Sequence, residues 1–584
     1  MRIIYAFLIF FIFTNCSHAS TKSTPRDVVI SLDGFPYWLY KELKVRYPQN
    51  EFFKYLKQKN ISHKAQLIAN FPSKTAPGHA SLFTGYFSDH HGITGNSVFL
   101  ADFSKNNILE TQNGFRPKAL QNKAEAIWIT LAKKGISTRV YQATHSLPLA
   151  THINSQNPLL LKNLKIFEGY LVRGSNKVIE FNSLEQSQDT LYKTLKLEDK
   201  NLEFKKTSPT TIEFKESTSK QWTTLNLGHL NKKTIQFSSG KSLDLIFIMA
   251  NNKDYLYFSH LNQISIYPET KTPSKHPHAF GANGAGYAFS GGVFGPTLQK
   301  TLNPNNNSAE KAYLETVLNA IDSNTKNTLY FQKTHGRGQV EFHYLPFPDE
   351  LLHQWAGYLL PTSPFYKKDL ASVYWNIFNE LFSGIAKHLN LVIGTDLSNI
   401  TFVTDHGMDY KSKSLYLNSL LKKMGYLNVD TSNNIDLPNT KVVYPKVGGF
   451  FFKFNYSHYK DGSSLTLKEK DALTQKLIKD LMMQKDNQGK AIFTKIWKAE
   501  ELKHLGATSA PWGGELYFEL QPGLYPSSRL SKDDSITKEA RANSTGVHGF
   551  YPLRATMKGA MLSTKPLHSK EIYLKDALKG ILSY

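Results

Sequence analysis

The chain has 584 residues, of which 40% are apolar, 20% charged and 13% aromatic, a balance that excludes the disordered, collagenous and coiled-coil classes and leaves a globular protein. Lys and Arg exceed Asp and Glu by 23 charges, which favours an anionic partner. Those cations are spread along the chain with no zinc-finger, RNP or basic-zipper signature, so no nucleic-acid partner is expected. Cys16 is the only cysteine, so an intramolecular disulfide and a thiolate zinc site are excluded, and a bound metal must use His and carboxylates.

In chain order, Met1–Ser20 reads as a secretory signal. Arg2 supplies positive charge, Ile3–Phe13 an apolar core too short to span a bilayer, and Ser17-His18-Ala19 a small-x-small cleavage site. The expectation is a signal peptide over residues 1–19 and export to the periplasm or the cell exterior, with lipid anchoring at Cys16 as the alternative. No other long apolar run follows, so the mature protein is expected to be soluble or peripheral, and its basic charge suits contact with an anionic membrane surface.

Asp27-Val-Val-Ile-Ser-Leu-Asp33-Gly34 is a β-branched run ending in an acid and a glycine, as a buried parallel strand does where it meets a functional loop. The pattern returns at Val340-Glu-Phe-His-Tyr-Leu-Pro-Phe-Pro-Asp349 and at Ile400-Thr-Phe-Val-Thr-Asp405-His406-Gly407, the latter after a helical stretch over Val373–Leu389. Three strands ending in acids predict one sheet with one active edge. Between Asn154 and Leu329 the texture shifts to alternating runs such as Lys177-Val-Ile-Glu-Phe, Thr211-Ile-Glu-Phe-Lys and Tyr255-Leu-Tyr-Phe, which predicts half-buried strands. The expected organisation is a catalytic α/β domain in two parts, 25–153 and 331–584, interrupted by a β-rich insertion over 154–330. The insertion's tail, Ala279–Gly295, holds six glycines and reads as a flexible loop or a lid. After a polar linker over Asn303–Ser308, a helix is expected over Ala309–Ile321.

Singly, the chemistry-bearing residues are ordinary. Asp349 and His353 are four apart, which puts both on one face of a helical turn where they can share a cation. Asp405 and His406 are adjacent at a strand end, and the glycines around His548 let its imidazole approach a metal closely. With Asp33 the set is three Asp and three His without Cys, a donor mix that suits Zn²⁺ and, less specifically, Mn²⁺.

Phe71-Pro-Ser-Lys-Thr75-Ala-Pro-Gly-His-Ala-Ser-Leu-Phe-Thr-Gly85, continuing to His91-Gly-Ile-Thr-Gly-Asn96, resembles the nucleophile segment of the type I phosphodiesterase/nucleotide pyrophosphatase family of the alkaline phosphatase superfamily. The resemblance extends over about residues 25–150 and 335–584. It implies an alkaline phosphatase-like three-layer α/β/α sandwich and a two-zinc centre with metal ligands Asp33, Thr75, Asp349, His353, Asp405, His406 and His548. Thr75 becomes the nucleophile, and Asn96, 21 residues on, the contact to a phosphoryl oxygen. The implied mechanism is two-step through a phospho-Thr75 intermediate, on a small-molecule phosphate diester, nucleotide or phospholipid head group.

Related branches differ in readable ways. Thr75-Ala-Pro77-Gly-His79 lacks the Cys/Ser-x-Pro-x-Arg element of sulfatases. The stretch Thr138-Arg-Val-Tyr-Gln-Ala-Thr-His-Ser-Leu-Pro lacks the Lys-x-Arg pair of related monoesterases, which favours diesters. Ala76 stands where nucleotide-cleaving members often carry an aromatic, so lipid head groups stay open. The rival readings are a phosphomonoesterase whose extra cation is Lys74 or Arg139, and a non-catalytic binding protein keeping the fold.

Overall fold

The computed structural model describes residues 26–99, 109–115, 124–145 and 157–168, most of 177–268, then 307–394, 398–455, 465–509, 512–533 and 535–582. The expected signal peptide, Cys16 and the glycine-rich tail 279–295 lie outside the described residues.

A nine-stranded mixed sheet organises the molecule. Its strands are β1 (Arg26–Leu32), β2 (His63–Ile68), β3 (Thr138–Tyr141), β4 (Leu164–Glu168), β5 (Ser265–Tyr267), β6 (Val340–Leu345), β7 (Ser398–Val403), β11 (Gly559–Ser563) and β12 (Glu571–Tyr573), in the order β5-β4-β3-β6-β1-β7-β11-β2-β12. The central five, β4 to β7 in that order, are parallel, with β1 between β6 and β7. Asp33, Asp349 and Asp405 follow three adjacent parallel strands and so emerge at one edge, as their sequence pattern predicts.

The period of two along β1 explains the layers. Val28, Ile30 and Leu32 enter one apolar core, and Val29 enters another on the opposite face. The first core is closed by α1 (Tyr37–Arg46), α2 (Glu51–Gln58), α6 (Ser308–His335), α7 (Asp349–Leu359) and α8 (Lys368–Ile393). The second is closed by α3 (Thr75–Thr84), α4 (Ile127–Lys133) and α5 (Pro158–Asn163). Helices on both faces make a three-layer α/β/α sandwich. Along α8, Leu370, Tyr374, Phe378, Leu381, Ile385, Leu389 and Val392 are all buried at helical spacing, each such side chain contributing about 1.5 to 3 kcal/mol.

Strands over residues 177–258 form a five-stranded and a four-stranded antiparallel sheet apart from the central one. Flanking them, β4 and β5 belong to the central sheet, and α6 packs on the first core. Helix α6 runs fourteen residues beyond Ile321 to His335. Its Asn- and Thr-rich second half reads as polar, yet α8 bonds to part of that face: Thr325 Oγ1 lies 2.8 Å from His388 Nδ1, and Gln332 Nε2 donates to Val392 O at 2.9 Å.

A third core, over residues 415–557 with Phe71, packs beneath the loops that carry Thr75 and His548. A small sheet beside it contains β8 (Asp409–Tyr416), β9 (Gly523–Ser527) and β10 (Gly546–Val547). Among the described residues no helix is long and apolar enough to cross a membrane.

Candidate metal centre and active site

All eight expected site residues meet at the carboxyl edge of β6, β1 and β7. Asp33 is held by two neighbours: its N–H donates to Leu345 O at 3.0 Å, and Tyr344 Oη donates to its Oδ2 at 2.5 Å. Asp349 opens α7, its N–H donating to Asp33 O at 3.0 Å, and one turn on His353 Nε2 comes within 3.3 Å of its Oδ2. Asp405 Oδ1 accepts from Gly34 N at 3.0 Å. Thr75 is the first residue of α3, and its hydroxyl lies 3.1 Å from His406 Nε2. Asn96 Oδ1 accepts from Ala76 N at 3.0 Å, which leaves the Nδ2 amide as the donating end beside Thr75.

The three histidines share one arrangement. Each Nδ1 faces a backbone carbonyl: His353 that of Gly546 at 3.0 Å, His406 that of Gly407 at 2.8 Å and His548 that of Ser73 at 3.1 Å. A carbonyl only accepts, so Nδ1 carries the proton and Nε2 presents a lone pair, the tautomer and orientation of a metal-ligating histidine. These lone pairs face acceptors. His406 Nε2 is 3.1 Å from Asp405 Oδ2 and 3.5 Å from Asp33 Oδ1, while His548 Nε2 is 3.9 Å from Asp349 Oδ1. Those three carboxylate oxygens are buried with no hydrogen-bond donor. Such an arrangement is one that could hold a cation.

Two trios bring their donor atoms within 4.8 Å of one another: Asp33/Asp405/His406 and Asp349/His406/His548. Two carboxylates at that separation repel by about 3 to 4 kcal/mol at an effective dielectric of 20. The consequence shows in their protonation. Burial, then Asp405 and Asp349, drive the Asp33 carboxyl well above the usual carboxylate range. Burial alone would raise Asp405 too, but His406 and His79 outweigh it and hold it low. Burial pulls His406 down, but Asp405, Asp349 and the Gly407 backbone together lift it above the usual histidine range. Burial, with His406, His353 and Lys74 adding to it, keeps His548 neutral. Protons are the poorer substitute for a divalent ion here, and the donor set fits one. His353 stands at the rim, its ring 5.0 Å from that of His548, and His406 is shared by both trios.

Three supporting residues are given no role at the site by the sequence, although Gly34 closes the first strand motif. Tyr344 orients Asp33 from the neighbouring strand. His79, one turn along α3, is buried with Nε2 2.8 Å from Ser31 Oγ and Nδ1 3.1 Å from Thr75 O and 3.4 Å from Asp405 Oδ2. Gly34 has φ +55°, and a Cβ there would lie 2.5 Å from Asp349 Oδ1. Arg139 is not at the site: its guanidinium donates to the carbonyls of Thr138, Asn163, His335 and Gly336 at the opposite edge of the sheet. Lys74, the other candidate cation, is buried next to Thr75.

Comparison with known proteins agrees with the resemblance carried by the motifs. Residues 28–256 match the family described as type I phosphodiesterase / nucleotide pyrophosphatase. This stretch contains Asp33, Thr75 and Asn96 and ends before the other site residues. The chain is 33% identical over 133 residues to ectonucleotide pyrophosphatase/phosphodiesterase family member 5 of Homo sapiens, a match covering 22% of this chain and 26% of that protein. It is 28% identical over 120 residues to bis(5'-adenosyl)-triphosphatase of Xenopus laevis, covering 20% and 24%. The matches thus span about a quarter of each of these relatives. Among solved structures, murine ectonucleotide pyrophosphatase/phosphodiesterase 5 in complex with AMP superposes with a TM-score of 0.46 at 13% identity, over 95% of this chain and 93% of that one.

Proposed function

We propose that this protein is an exported, metal-dependent hydrolase of phosphodiester or phosphoanhydride bonds, of the nucleotide pyrophosphatase/phosphodiesterase type, with Thr75 as its nucleophile. Two divalent ions, Zn²⁺ foremost, are assigned to Asp33, Asp349, His353, Asp405, His406 and His548. The observation that carries the reading is the set of Nε2 lone pairs and donor-less carboxylate oxygens facing one another beside the Thr75 hydroxyl. When bound, the ions would supply Lewis acidity and offset the three aspartates, leaving a centre near +1 that attracts a phosphate ester.

The chain's own residues then account for the reaction. Thr75 Oγ1, at the positive end of the ten-residue α3, is the group that would attack phosphorus in line. Its O–P bond forms as the bond to the leaving oxygen breaks. Water attacks the phospho-Thr75 phosphorus in the second step, releasing the phosphate product and restoring the hydroxyl. Asn96 Nδ2 donates to a non-bridging oxygen as charge builds there. The Gly34 N–H and the Tyr344 hydroxyl hold Asp405 and Asp33 in place.

A diester is favoured over a monoester, since the Lys-x-Arg pair is absent and Arg139 is committed elsewhere. The relatives named bis(5'-adenosyl)-triphosphatase support a nucleotide anhydride, whereas Ala76 keeps a lipid head group in play. The test is a panel of bis-p-nitrophenyl phosphate, p-nitrophenyl phosphate, diadenosine triphosphate and a choline phospholipid on zinc-loaded protein, with elemental analysis of the same sample. We expect turnover of a diester or the anhydride with two metal ions per chain. A stoichiometry near zero after reconstitution, or equal kcat/KM for the matched diester and monoester, would overturn it. Export through Met1–Ser20 is checked by N-terminal sequencing of protein recovered from the periplasm or the medium.

A further inference from the structure

The stretch after β3, which supplies no Lys-x-Arg pair, carries a different feature. β3 runs parallel to β6, so its carboxyl end opens on the same edge of the sheet as Asp349. In the residues that follow, Gln142 and His145 take φ of +61° and +57°, left-handed conformations that non-glycine residues adopt rarely and at a cost. Gln142 is tied down by its N–H, which donates to Phe167 O at 2.9 Å, and by its Nε2, which donates to Asn324 Oδ1 at 3.0 Å. His145 is 4% exposed, and its ring lies within 18° of parallel to that of Phe115. Its Nε2 stands 2.6 Å from Gly114 O, a carbonyl that only accepts, so Nε2 carries the proton and the ring donates. Nδ1 is buried without a partner, which makes this the ring's one hydrogen bond among the described residues. Burial pulls the imidazole down to about 4 despite the Gly114 carbonyl, so the ring is neutral at neutral pH.

From His145 the active site is two hydrogen bonds away. Gly114 N–H donates to Asn96 O at 3.0 Å, closing the ribbon in which Ser97–Phe99 pairs with Thr111–Asn113. Gly114 lies flush on the backbone before Asn96: a Cβ there would lie 2.6 Å from Gly95 O and 3.2 Å from Asn96 O. Asn96 Oδ1 in turn accepts at 3.0 Å from the N–H of Ala76, the residue after Thr75. The Asn96 amide is therefore aimed by a side-chain clasp at Ala76 and a backbone clasp at Gly114, and His145 holds the second. Without His145, the buried Gly114 loses the donor to its carbonyl, and the ribbon end at Asn96 loses its anchor.

We propose that His145 is a positioning residue for Asn96: through Gly114 it fixes the backbone from which the Asn96 amide reaches the phosphoryl oxygen. Its effect falls on the transition state rather than on substrate affinity, because a donor aimed at developing charge works only when it is held closely in place. His145 touches no reacting atom and acts through Asn96 alone. This role rests on the hydrolase reading above, in which Asn96 is the donor to the phosphoryl group.

The experiment measures kcat and KM of zinc-loaded wild type, His145→Asn, His145→Gln and Gly114→Ala, each with and without Asn96→Ala, on the substrate of the panel above that the wild type cleaves fastest. Asn tolerates the left-handed backbone but its amide is too short to reach Gly114 O, whereas the longer Gln can present its Nε2 there. His145→Asn is expected to lower kcat about 10- to 100-fold with KM within about threefold of wild type, and His145→Gln to restore most of the rate. Gly114→Ala disturbs the same link from the other side and should match His145→Asn. Once Asn96→Ala is present, His145→Asn should cost less than about twofold, because the group it positions is gone. An unchanged kcat, an equal loss in both backgrounds, a loss in KM alone or no rescue by Gln would overturn the proposal. Should His145→Asn fail to fold, Gly114→Ala carries the same comparison. Hydrogen exchange over residues 93–99 reads the link without turnover: about tenfold faster exchange in His145→Asn but not in His145→Gln supports it, and wild-type exchange in both removes it. If the wild type hydrolyses nothing, the hydrolase reading fails, and the exchange measurement still decides whether His145 holds Asn96.

Discussion

Gly34 and Asp349 share a space that admits only one of them with a side chain: a Cβ at position 34 would lie 2.5 Å from Asp349 Oδ1 and 2.7 Å from its Cβ. The same glycine has φ +55° and donates its N–H to Asp405. One residue thus lets two acids from different strands converge, and its backbone conformation is one that L side chains rarely adopt. Gly34→Ala should therefore push Asp349 away and lower metal affinity by about 10- to 100-fold, the cost typical of disturbing groups that orient metal ligands. Tyr344→Phe, which removes the hydrogen bond to Asp33 without adding bulk, should do the same more mildly. Zinc titration with a competing chelator measures both. Wild-type affinity in both variants would show that these contacts do not shape the centre.

Thr75→Ala should abolish turnover while leaving fold and metal content intact, because the residue's hydroxyl faces His406 Nε2 and its backbone starts α3. Asn96→Ala should cost roughly 10² to 10³ in kcat, as for other donors aimed at developing charge. Steady-state rates with circular dichroism and elemental analysis separate chemistry from folding. Hydrolysis by Thr75→Ala within a few-fold of wild type would exclude the covalent intermediate.

The parts of the site legible in sequence are those written locally. Asp33, Asp349 and Asp405 each end a β-branched run, and the parallel order β6-β1-β7 converts three separate strand ends into one edge. The Asp349/His353 spacing needed only the helical period. What was not legible depends on distant partners. Tyr344 reads as an inward strand residue, and its bond to Asp33 joins positions 311 apart. Gly34 reads as a turn glycine until Asp349 is seen against it. Helix α6 reads as shorter than it is because two of its polar side chains are bonded by α8, a fact of packing that composition does not encode.

Glu310 gives a pH dependence independent of the metal. It lies in the first turn of α6, 2% exposed, with Oε2 lacking a donor, and burial pushes its carboxyl up to about 7. A carboxyl whose folded pKa exceeds its unfolded value makes the folded state bind more protons, so stability falls as pH rises from the unfolded pKa through the folded one. The loss, of order 3 kcal/mol, should accumulate between about pH 4.5 and 7 and be complete by pH 8. Glu310→Gln should flatten that slope and raise the melting temperature at pH 8, measured by calorimetry at pH 5, 6.5 and 8. Parallel wild-type and variant curves would show that Glu310 is not titrating in this window.

Arg139 tests the assignment of the site from the other side. Its guanidinium donates to four backbone carbonyls, those of Thr138, Asn163, His335 and Gly336, at the edge of the sheet where the parallel strands begin. It therefore ties β3 to the ends of α5 and α6, and, standing at the opposite edge of the sheet from Thr75, aims no donor at a phosphate bound there. Arg139→Met should lower stability by about 2 to 4 kcal/mol, because carbonyls that lose a charged donor are left unpaired in a largely buried setting. The ratio of kcat/KM for bis-p-nitrophenyl phosphate to that for p-nitrophenyl phosphate should not move. Denaturant melts and the two rate constants on one preparation measure both quantities. A ratio shifted tenfold toward the diester would mean that Arg139 reaches the substrate, and the monoesterase reading would regain its missing cation.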